Sequence, residues 1–370
     1  MREKIRHDDK RMFWSGINLL RGGSGLSDRW KRVASQKEVS VGAILFGVML
    51  ISWMFNPVFL SFENLMDVIK SNAVLGICAM GMLLVIITGG IDVSISSQLA
   101  LVTVLTGQIM NRTGFDNLVV IYLIGIAIGG VVGLANGGMI AWLGLPPIIA
   151  TLGMMSVIDG FLKYYTNGTW INQLPQRIVD FGLLKFFSIR NANGSEIGLP
   201  IQFLLFALAM LVTWFLIKRT MLGRSIMAMG SNPVSSQRIG LNNKRLTAFA
   251  YAFSGMMAGF AAITYTSIMK SVDPNAFIGY EMNVIGAVVL GGALLTGGSG
   301  SVLGTFLGVM LFAFISNGLT LARISTYWQA IIVGVIILLA VSFDMIRLRR
   351  DERRQTKVDI DLSVQGKEGA

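Results

Sequence analysis

Long stretches without a charged residue constrain the fold of this chain more than any motif does. A helix needs about 20 apolar residues to cross the hydrocarbon core of a bilayer. Six of the stretches have about the length of one crossing, and two are long enough for a pair of crossings. The eight charge-free stretches are 39–62, 71–91, 93–111, 117–158, 197–217, 246–269, 282–322 and 324–343.

Helix breakers near the middle of the two long stretches divide each into two predicted helices. Leu145-Pro146-Pro147 interrupts 117–158, and Gly297-Gly298-Ser299-Gly300 interrupts 282–322. The composition agrees with ten helices in lipid: 53% of the residues are hydrophobic and 14% are charged, whereas a soluble domain carries about 25% charged residues. We therefore predict an all-α polytopic membrane protein with about ten transmembrane helices, and not a soluble enzyme.

Clustered basic residues predict the orientation of the chain in the membrane. Of the 31 Lys and Arg residues, 23 lie in 1–38, 218–245 and 347–370. Basic segments face the cytoplasm and contact anionic lipid headgroups. An even number of helices places both termini on that side, in agreement with the charge of both ends. No basic stripe is interleaved with aromatic residues, so we expect no nucleic-acid partner.

This topology divides the chain into a transmembrane domain and two tails. Residues 1–38 and 347–370 are predicted cytoplasmic tails, and 39–346 form the transmembrane domain. Within that domain, 218–245 is a cytoplasmic loop and 166–199 is the longest external loop. Localisation in a bacterial inner membrane follows from the family resemblance described below.

The residues needed for several kinds of chemistry are missing. The only histidine is His7, in the N-terminal tail, and the only cysteine is Cys78, in an apolar stretch. A metal site or a histidine-activated nucleophile inside the membrane is therefore not expected. The chain has no G-x-x-x-x-G-K-[ST] motif, so we expect no ATP site of its own. An intramembrane enzyme would need a pair of buried carboxylates, for which Asp92 and Asp159 are the only candidates.

The cytoplasmic loop carries the signals of a short capped helix. Ser231 or Asn232 suits the N-cap, Pro233 suits the first helical position, and Gly240 suits the residue after the helix. A short helix at this place is typical of an element that docks into a partner's groove. An ordinary structured loop explains the same residues equally well.

Several ordered motifs, taken together, resemble one family of transport proteins. The chain is similar, over roughly residues 40 to 345, to the permeases of bacterial ABC importers of the ribose/monosaccharide type. The motifs are Ile87-Thr88-Gly89-Gly90-Ile91-Asp92-Val93-Ser94, Asn136-Gly137, Pro147 through Ala150-Thr151-Leu152-Gly153, Ala287-Val288-Val289-Leu290-Gly291-Gly292, Gly297-Gly298-Ser299-Gly300-Ser301-Val302-Leu303-Gly304-Thr305 and the loop 220–241.

The resemblance implies a function and a set of partners. Such permeases pair in the membrane, as two copies or with a paralogue, and two ATPase subunits that use ATP and Mg dock beneath them. A periplasmic or lipid-anchored binding protein delivers the sugar, and the permease is a conduit without catalytic residues or cofactors. The implied docking residues are Gly223, Arg224, Gly230, Ser231, Asn232, Pro233, Arg238 and Gly240.

Polar residues inside or between the predicted spans are candidates for the translocation path. Asp92 is the most notable of them, because a carboxylate between two apolar stretches is costly to bury. It orients a sugar hydroxyl or, as we prefer, has a structural role beside the break at Gly89-Gly90. The uncharged candidates either bind sugar hydroxyls or join helices to one another. These candidates are Ser94, Asn136, Thr151, Asn317 and Gln329.

Two further hypotheses stay open at this point. One is a secondary transporter of a small polar solute, driven by an ion gradient, for which Asp92 is the only well-placed coupling residue. The other is an internal repeat of predicted helices two to five and seven to ten. Ile86-Ile87-Thr88-Gly89-Gly90 resembles Leu294-Leu295-Thr296-Gly297-Gly298, and each interrupts a hydrophobic stretch.

Overall fold

A computed structural model describes residues 37–190, 196–336, 338–339 and 342 of the chain. The predicted tails therefore lie outside the described residues, except for 37 and 38. Within the described part, the chain is mostly helical. The helices are α1 (Lys37–Phe55), α2 (Phe62–Ile87), α3 (Ile95–Thr113), α4 (Leu118–Leu143), α5 (Pro147–Thr166), α6 (Gln176–Leu183), α7 (Ile201–Arg219), α8 (Met221–Ser231), α9 (Pro233–Arg238), α10 (Asn243–Met269), α11 (Tyr280–Leu290), α12 (Val302–Leu321) and α13 (Thr326–Ile336).

Six of these helices are long and apolar enough to cross a membrane, namely α1, α2, α4, α7, α10 and α12. This confirms a polytopic membrane protein. Four other helices, α3, α5, α11 and α13, lie in the remaining predicted spans. The count of ten crossings and the cytoplasmic side of both termini stay predictions.

The two predicted helix breakers, at 145–147 and 297–300, divide their hydrophobic stretches in different ways. Gly144, in the left-handed region with φ 73°, ends α4, and Pro147 begins α5, so the first long stretch divides where the sequence predicts. In the second stretch α11 ends earlier, at Leu290, and a loop runs to Ser301, whose side chain caps α12. At about 1.5 Å per residue, the 11 residues of α11 cover only about half of a bilayer core of about 30 Å.

The predicted external segment contains β-structure, which corrects the expectation of an all-α chain. Strands β1 (Lys185–Arg190) and β2 (Glu196–Pro200) pair antiparallel, with Phe186 opposite Leu199. An isolated bridge between Ile171 and Val272 joins this segment to the loop before α11, with both backbone N–H groups donating at 3.0 and 2.9 Å. The hydrophobic stretches contain no alternating pattern, so they did not indicate a hairpin here.

Helices α2 and α10 occupy the core, and α4 packs directly against α10. Four glycines at every fourth position of α4 face α10: Gly125, Gly129, Gly133 and Gly137. A Cβ atom at any of them would overlap or crowd atoms of α10, most of them backbone atoms. Small residues at this spacing allow the two backbones to approach closely, as in other membrane helix pairs.

Candidate functional site

A buried polar cluster surrounds Asp92 in the link between α2 and α3. The Asp92 side chain is fully buried. Its Oδ1 accepts hydrogen bonds from the backbone N–H of Ser94 at 3.1 Å and from the Ser94 hydroxyl at 2.6 Å. Its Oδ2 accepts from Gln98 Nε2 at 3.1 Å and from the Ser254 hydroxyl at 3.4 Å. Neutral donors from α3 and α10 therefore compensate the burial of this carboxyl group.

The Ser94 hydroxyl is the centre of the cluster. It donates to Asp92 and accepts from Gln98 Nε2 at 2.8 Å and from Asn136 Nδ2 at 2.7 Å. The link, α3, α4 and α10 thus meet at five residues, which we call the Asp92 cluster: Asp92, Ser94, Gln98, Asn136 and Ser254. Three of them, Asp92, Ser94 and Asn136, were predicted from the sequence. Gln98 was also recognisable from the sequence, because it follows Ser94 by one helical turn. No sequence pattern pointed to Ser254.

The cluster leaves little space for a ligand. All five side chains are fully buried. Arg177 and Asp116 form an ion pair at the surface, at 4.0 Å, and Asp92 has no ion pair with a described cation. Within the cluster, only the amide oxygens of Gln98 and Asn136 lack a hydrogen-bond partner. The arrangement joins helices and holds the link in place.

The other three candidates for the translocation path lie in three different places. Thr151 lies beside the cluster, where its hydroxyl oxygen accepts from the backbone N–H of Val93 at 3.2 Å. Asn317 forms a reciprocal amide pair with Asn64, with bonds of 2.9 and 3.0 Å that join α12 to α2. Gln329 donates to the carbonyl oxygen of Ile324 at 2.8 Å and lines a cavity.

That cavity lies between α11, α12 and α13 and has a volume of about 370 Å³. Its polar lining is uncharged and consists of two amides and a hydroxyl. The remaining lining is apolar and includes one aromatic ring. The lining residues are Gly279, Met282, Asn283, Phe312, Ser316, Gln329, Ala330, Val333 and Gly334.

A second, much smaller cavity contains a carboxylate. It has a volume of about 20 Å³, and Ser96, Ser97 and Asp159 are its polar lining. Glu281 is buried at the start of α11. Neither the Ser96 hydroxyl nor Glu281 Oε2 has a hydrogen-bond partner among the described residues. A cavity of this size holds about one water molecule.

No metal centre can be assembled from the side chains described. Within residues 37–190, 196–336, 338–339 and 342, no three His, Cys, Asp or Glu residues lie together in a way that would hold a metal ion.

The loop 218–245, which is predicted to be cytoplasmic, contains two capped helices. Asn232 is the N-cap of α9 and accepts from the backbone N–H of Ser235 at 2.9 Å, and Pro233 is its first residue. Gly240 follows α9 with φ 88°, in the left-handed region. The preceding helix α8, which the sequence analysis did not predict, begins at a cap formed by Thr220. Arg224 and Arg238 are exposed.

The end of α8 packs inward, against two similar turns. Gly230 faces Ile87, and a Cβ atom there would overlap the carbonyl oxygen of Ile87. The backbone N–H of Gly298 donates to the same oxygen at 2.8 Å. The two Thr-Gly-Gly turns, 88–90 and 296–298, therefore meet each other and α8. Gly230 thus packs against the turn after α2, and its place among the ATPase-docking residues stays a prediction.

The chain matches the family described as "Branched-chain amino acid transport system / permease component" over residues 64–341. It is 34% identical over 309 residues to the ribose import permease protein of Escherichia coli K12, covering 83% of this chain and 93% of that protein. It is 35% identical over 300 residues to the autoinducer 2 import system permease protein of Salmonella choleraesuis, covering 80% and 83%.

A third relative is the L-arabinose ABC transporter permease protein of Azospirillum brasilense, 30% identical over 329 residues, covering 89% of this chain and 92% of that protein. No solved structure is significantly similar to the chain. The family match covers well over half of the chain, and six described helices are long and apolar enough to span a membrane. The chain therefore belongs to the permease-component family of transport systems, as a multi-pass transport subunit of the bacterial inner membrane.

Proposed function

We propose that this chain is the membrane permease of an ATP-driven importer for a monosaccharide or a similar small polyol. The observation that carries the proposal is the 34% identity to the Escherichia coli ribose import permease over 83% of the chain. Relatives named for L-arabinose and autoinducer 2 agree with a small, hydroxyl-rich substrate.

ATPase subunits dock on the α8–α9 segment of the cytoplasmic loop 218–245, and ATP and Mg are used by those subunits. Three apolar side chains support this, because they are largely exposed there: Met221 (73% exposed), Val234 (60%) and Ile239 (73%). Exposed Arg224 and Arg238 flank them. An apolar patch with a polar rim is typical of an interaction surface. Gly223 and Gly230 contribute by packing α8 against the spans, and Ser231, Asn232, Pro233 and Gly240 by shaping α9.

Ten spans with both termini in the cytoplasm complete the proposed topology, with tails 1–38 and 347–370 around the domain 39–346. A repeat of spans two to five and seven to ten is proposed on the sequence resemblance of 86–90 to 294–298 alone. The external segment 166–199 receives a sugar-binding protein. A second copy of the chain or a paralogous permease forms the other half of the path.

Within the path, the candidate residues divide by role. We assign Asp92, Ser94, Asn136 and Thr151 to the support of the link between α2 and α3, since their hydrogen bonds are made to protein groups. Asn317 joins α12 to α2. Gln329 remains as the candidate that faces an open cavity.

Purification of the tagged chain from its native membrane in mild detergent tests the proposal. We expect an ATPase with a P-loop to co-purify in stoichiometric amount. Ile239→Glu places a charge in the apolar docking surface, so we expect it to lower the yield of the ATPase at least tenfold. Phe187→Glu is the matched control, because Phe187 is 90% exposed in the external hairpin, on the opposite predicted side.

Two results would contradict the proposal. A chain that purifies alone and drives uptake with an ion gradient only would support the secondary transporter. Equal ATPase yields from Ile239→Glu and Phe187→Glu would exclude the α8–α9 segment as the docking surface while leaving the importer intact.

A further inference from the structure

Among the described residues, the cavity between α11, α12 and α13 has the volume and the lining of a small-molecule site. Its volume of about 370 Å³ falls in the range of about 300–1,000 Å³ that is typical of ligand pockets. The Asp92 cluster is fully buried and bonded to itself, and the cavity beside Asp159 has room for about one water molecule. A molecule with several hydroxyl groups therefore fits only the first of these three polar places.

The polar groups of this cavity match a neutral ligand with many hydroxyl groups. Asn283 and Gln329 provide amides, which both donate and accept, and Ser316 provides a hydroxyl group that does the same. A sugar hydroxyl also donates and accepts, so each group can pair with one. The lining of the cavity contains no charged residue. An ionic solute would therefore find no opposite charge there.

The positions of these groups are fixed by three different helices. The Gln329 amide is oriented by its bond to the carbonyl oxygen of Ile324, at 2.8 Å. Phe312 is buried, with 8% of its surface exposed, and supplies an aromatic wall on α12. Asn283 lies near the start of the short helix α11, which ends inside the domain.

We propose that this cavity holds the transported monosaccharide, with Asn283, Ser316 and Gln329 bonding its hydroxyl groups and Phe312 covering its apolar face. The assignment rests on the proposed function, because it presumes that the solute is a sugar. The three helices that line the cavity all lie in predicted spans.

Filling the cavity tests the assignment. Gly334 lines the cavity, and a Cβ atom there would meet nothing within 4 Å, so Gly334→Leu adds bulk without strain at its own position. Gly42→Leu on α1 is the matched control, because Gly42 also has free space and lies outside the cavity. The assay is uptake of D-ribose and L-arabinose by liposomes that contain the complete importer, together with ATP hydrolysis stimulated by the loaded binding protein.

We expect Gly334→Leu to lower uptake at least tenfold while stimulated ATP hydrolysis stays within twofold of the original protein. Asn283→Ala removes a neutral hydrogen-bonding group, worth about 0.5–1.5 kcal/mol, so we expect a decrease of about 2- to 10-fold in uptake. Gly42→Leu should transport normally. Normal uptake by Gly334→Leu and Asn283→Ala would overturn the assignment.

Accessibility of Gly334→Cys distinguishes the possible occupants of the cavity. The only native cysteine, Cys78, is buried, so a membrane-impermeant methanethiosulfonate reports on position 334 alone. We expect labelling that slows when D-ribose is being transported. Labelling by membrane-soluble reagents alone would show that the cavity is a groove filled by lipid, and this result overturns the proposal.

Failure of the proposed function has a different signature. An importer with the original sequence that takes up neither these two pentoses nor any other monosaccharide or small polyol would refute the proposed function, and the cavity assignment with it. Normal uptake by the original protein together with unaffected variants would refute the cavity assignment alone.

Discussion

The contact between α4 and α10 at Gly137 gives a sharp quantitative prediction. A Cβ atom at Gly137 would stand 2.7 Å from Ala248 Cα and 2.9 Å from the Ala248 carbonyl oxygen. Carbon atoms pack optimally at about 3.5–4.0 Å, so Gly137→Ala must separate the two helices by close to 1 Å. The preceding residue is Asn136, which bonds Ser94 at 2.7 Å, so the same displacement strains the Asp92 cluster.

The expected cost is that of overpacking a well-packed core, about 1–3 kcal/mol. Gly138→Ala is the matched control. It has the same change of residue at the next position of the helix, but its Cβ atom would meet only the Trp142 ring at an ordinary 3.7 Å. Both variants share whatever helix propensity alanine adds, about 1 kcal/mol. The difference between them therefore isolates the packing term.

Cys78 supplies the assay, because it is the only cysteine and is fully buried in α2. A thiol-reactive fluorophore reacts with it only when the bundle opens. We expect Gly137→Ala in detergent to react with the fluorophore at a temperature several degrees lower than Gly138→Ala does. Equal transition temperatures would refute the argument that backbone contact between α4 and α10 limits the side chain at this position.

Three more predictions follow from the hydrogen bonds and close contacts. Asp92→Asn keeps the size of the side chain and an acceptor for Ser94, so this variant should be more stable than Asp92→Ala. In Asp92→Ala the buried donors lose their acceptor, which costs about 1–3 kcal/mol for each donor. Equal reactivity of Cys78 in the two variants would contradict this prediction. A double-mutant cycle of Asn64→Ala and Asn317→Ala should give a coupling of about 0.6–2 kcal/mol, as for other hydrogen bonds between membrane helices, and zero coupling would exclude the pair as a stabilising contact. Gly230→Ala would overlap the Ile87 carbonyl oxygen and displace α8, so ATPase co-purification should fall several-fold, whereas equal yields from Gly230→Ala and the unmodified chain would refute the inward packing of α8.

Much of the architecture was predictable because it depends on properties that act locally along the chain. A charge-free stretch of about 20 residues is driven into lipid wherever its neighbours lie, and the start of α5 at Pro147 follows from the ring of proline itself. The Asn232 cap and the left-handed Gly240 are equally local. The hairpin β1–β2 escaped prediction because its strands are short and lie in a loop without alternating polarity.

The candidate sites show the limit of such reasoning. Residue type alone marked Asp92 as unusual, since a buried carboxylate is costly. Its actual partners include Ser254, which is 162 positions away in the sequence, and no local pattern relates the two. Gly230 likewise carried the signals of a docking loop, yet its contact with Ile87 depends on how α8 folds back toward α2.

The sequence by itself determined that the chain is a multi-pass membrane protein and where most of its helices begin and end, because hydrophobic partitioning and backbone capping depend on neighbouring residues only. The tertiary structure decided which polar side chains bond one another and which face open space. The Asn136 amide donates a hydrogen bond to the Ser94 hydroxyl, whereas Gln329 lines a cavity of about 370 Å³. The physical reason is that both outcomes depend on the packing of helices that are distant in the sequence; for Asn136 this includes the close approach of α4 and α10 at the glycines of α4.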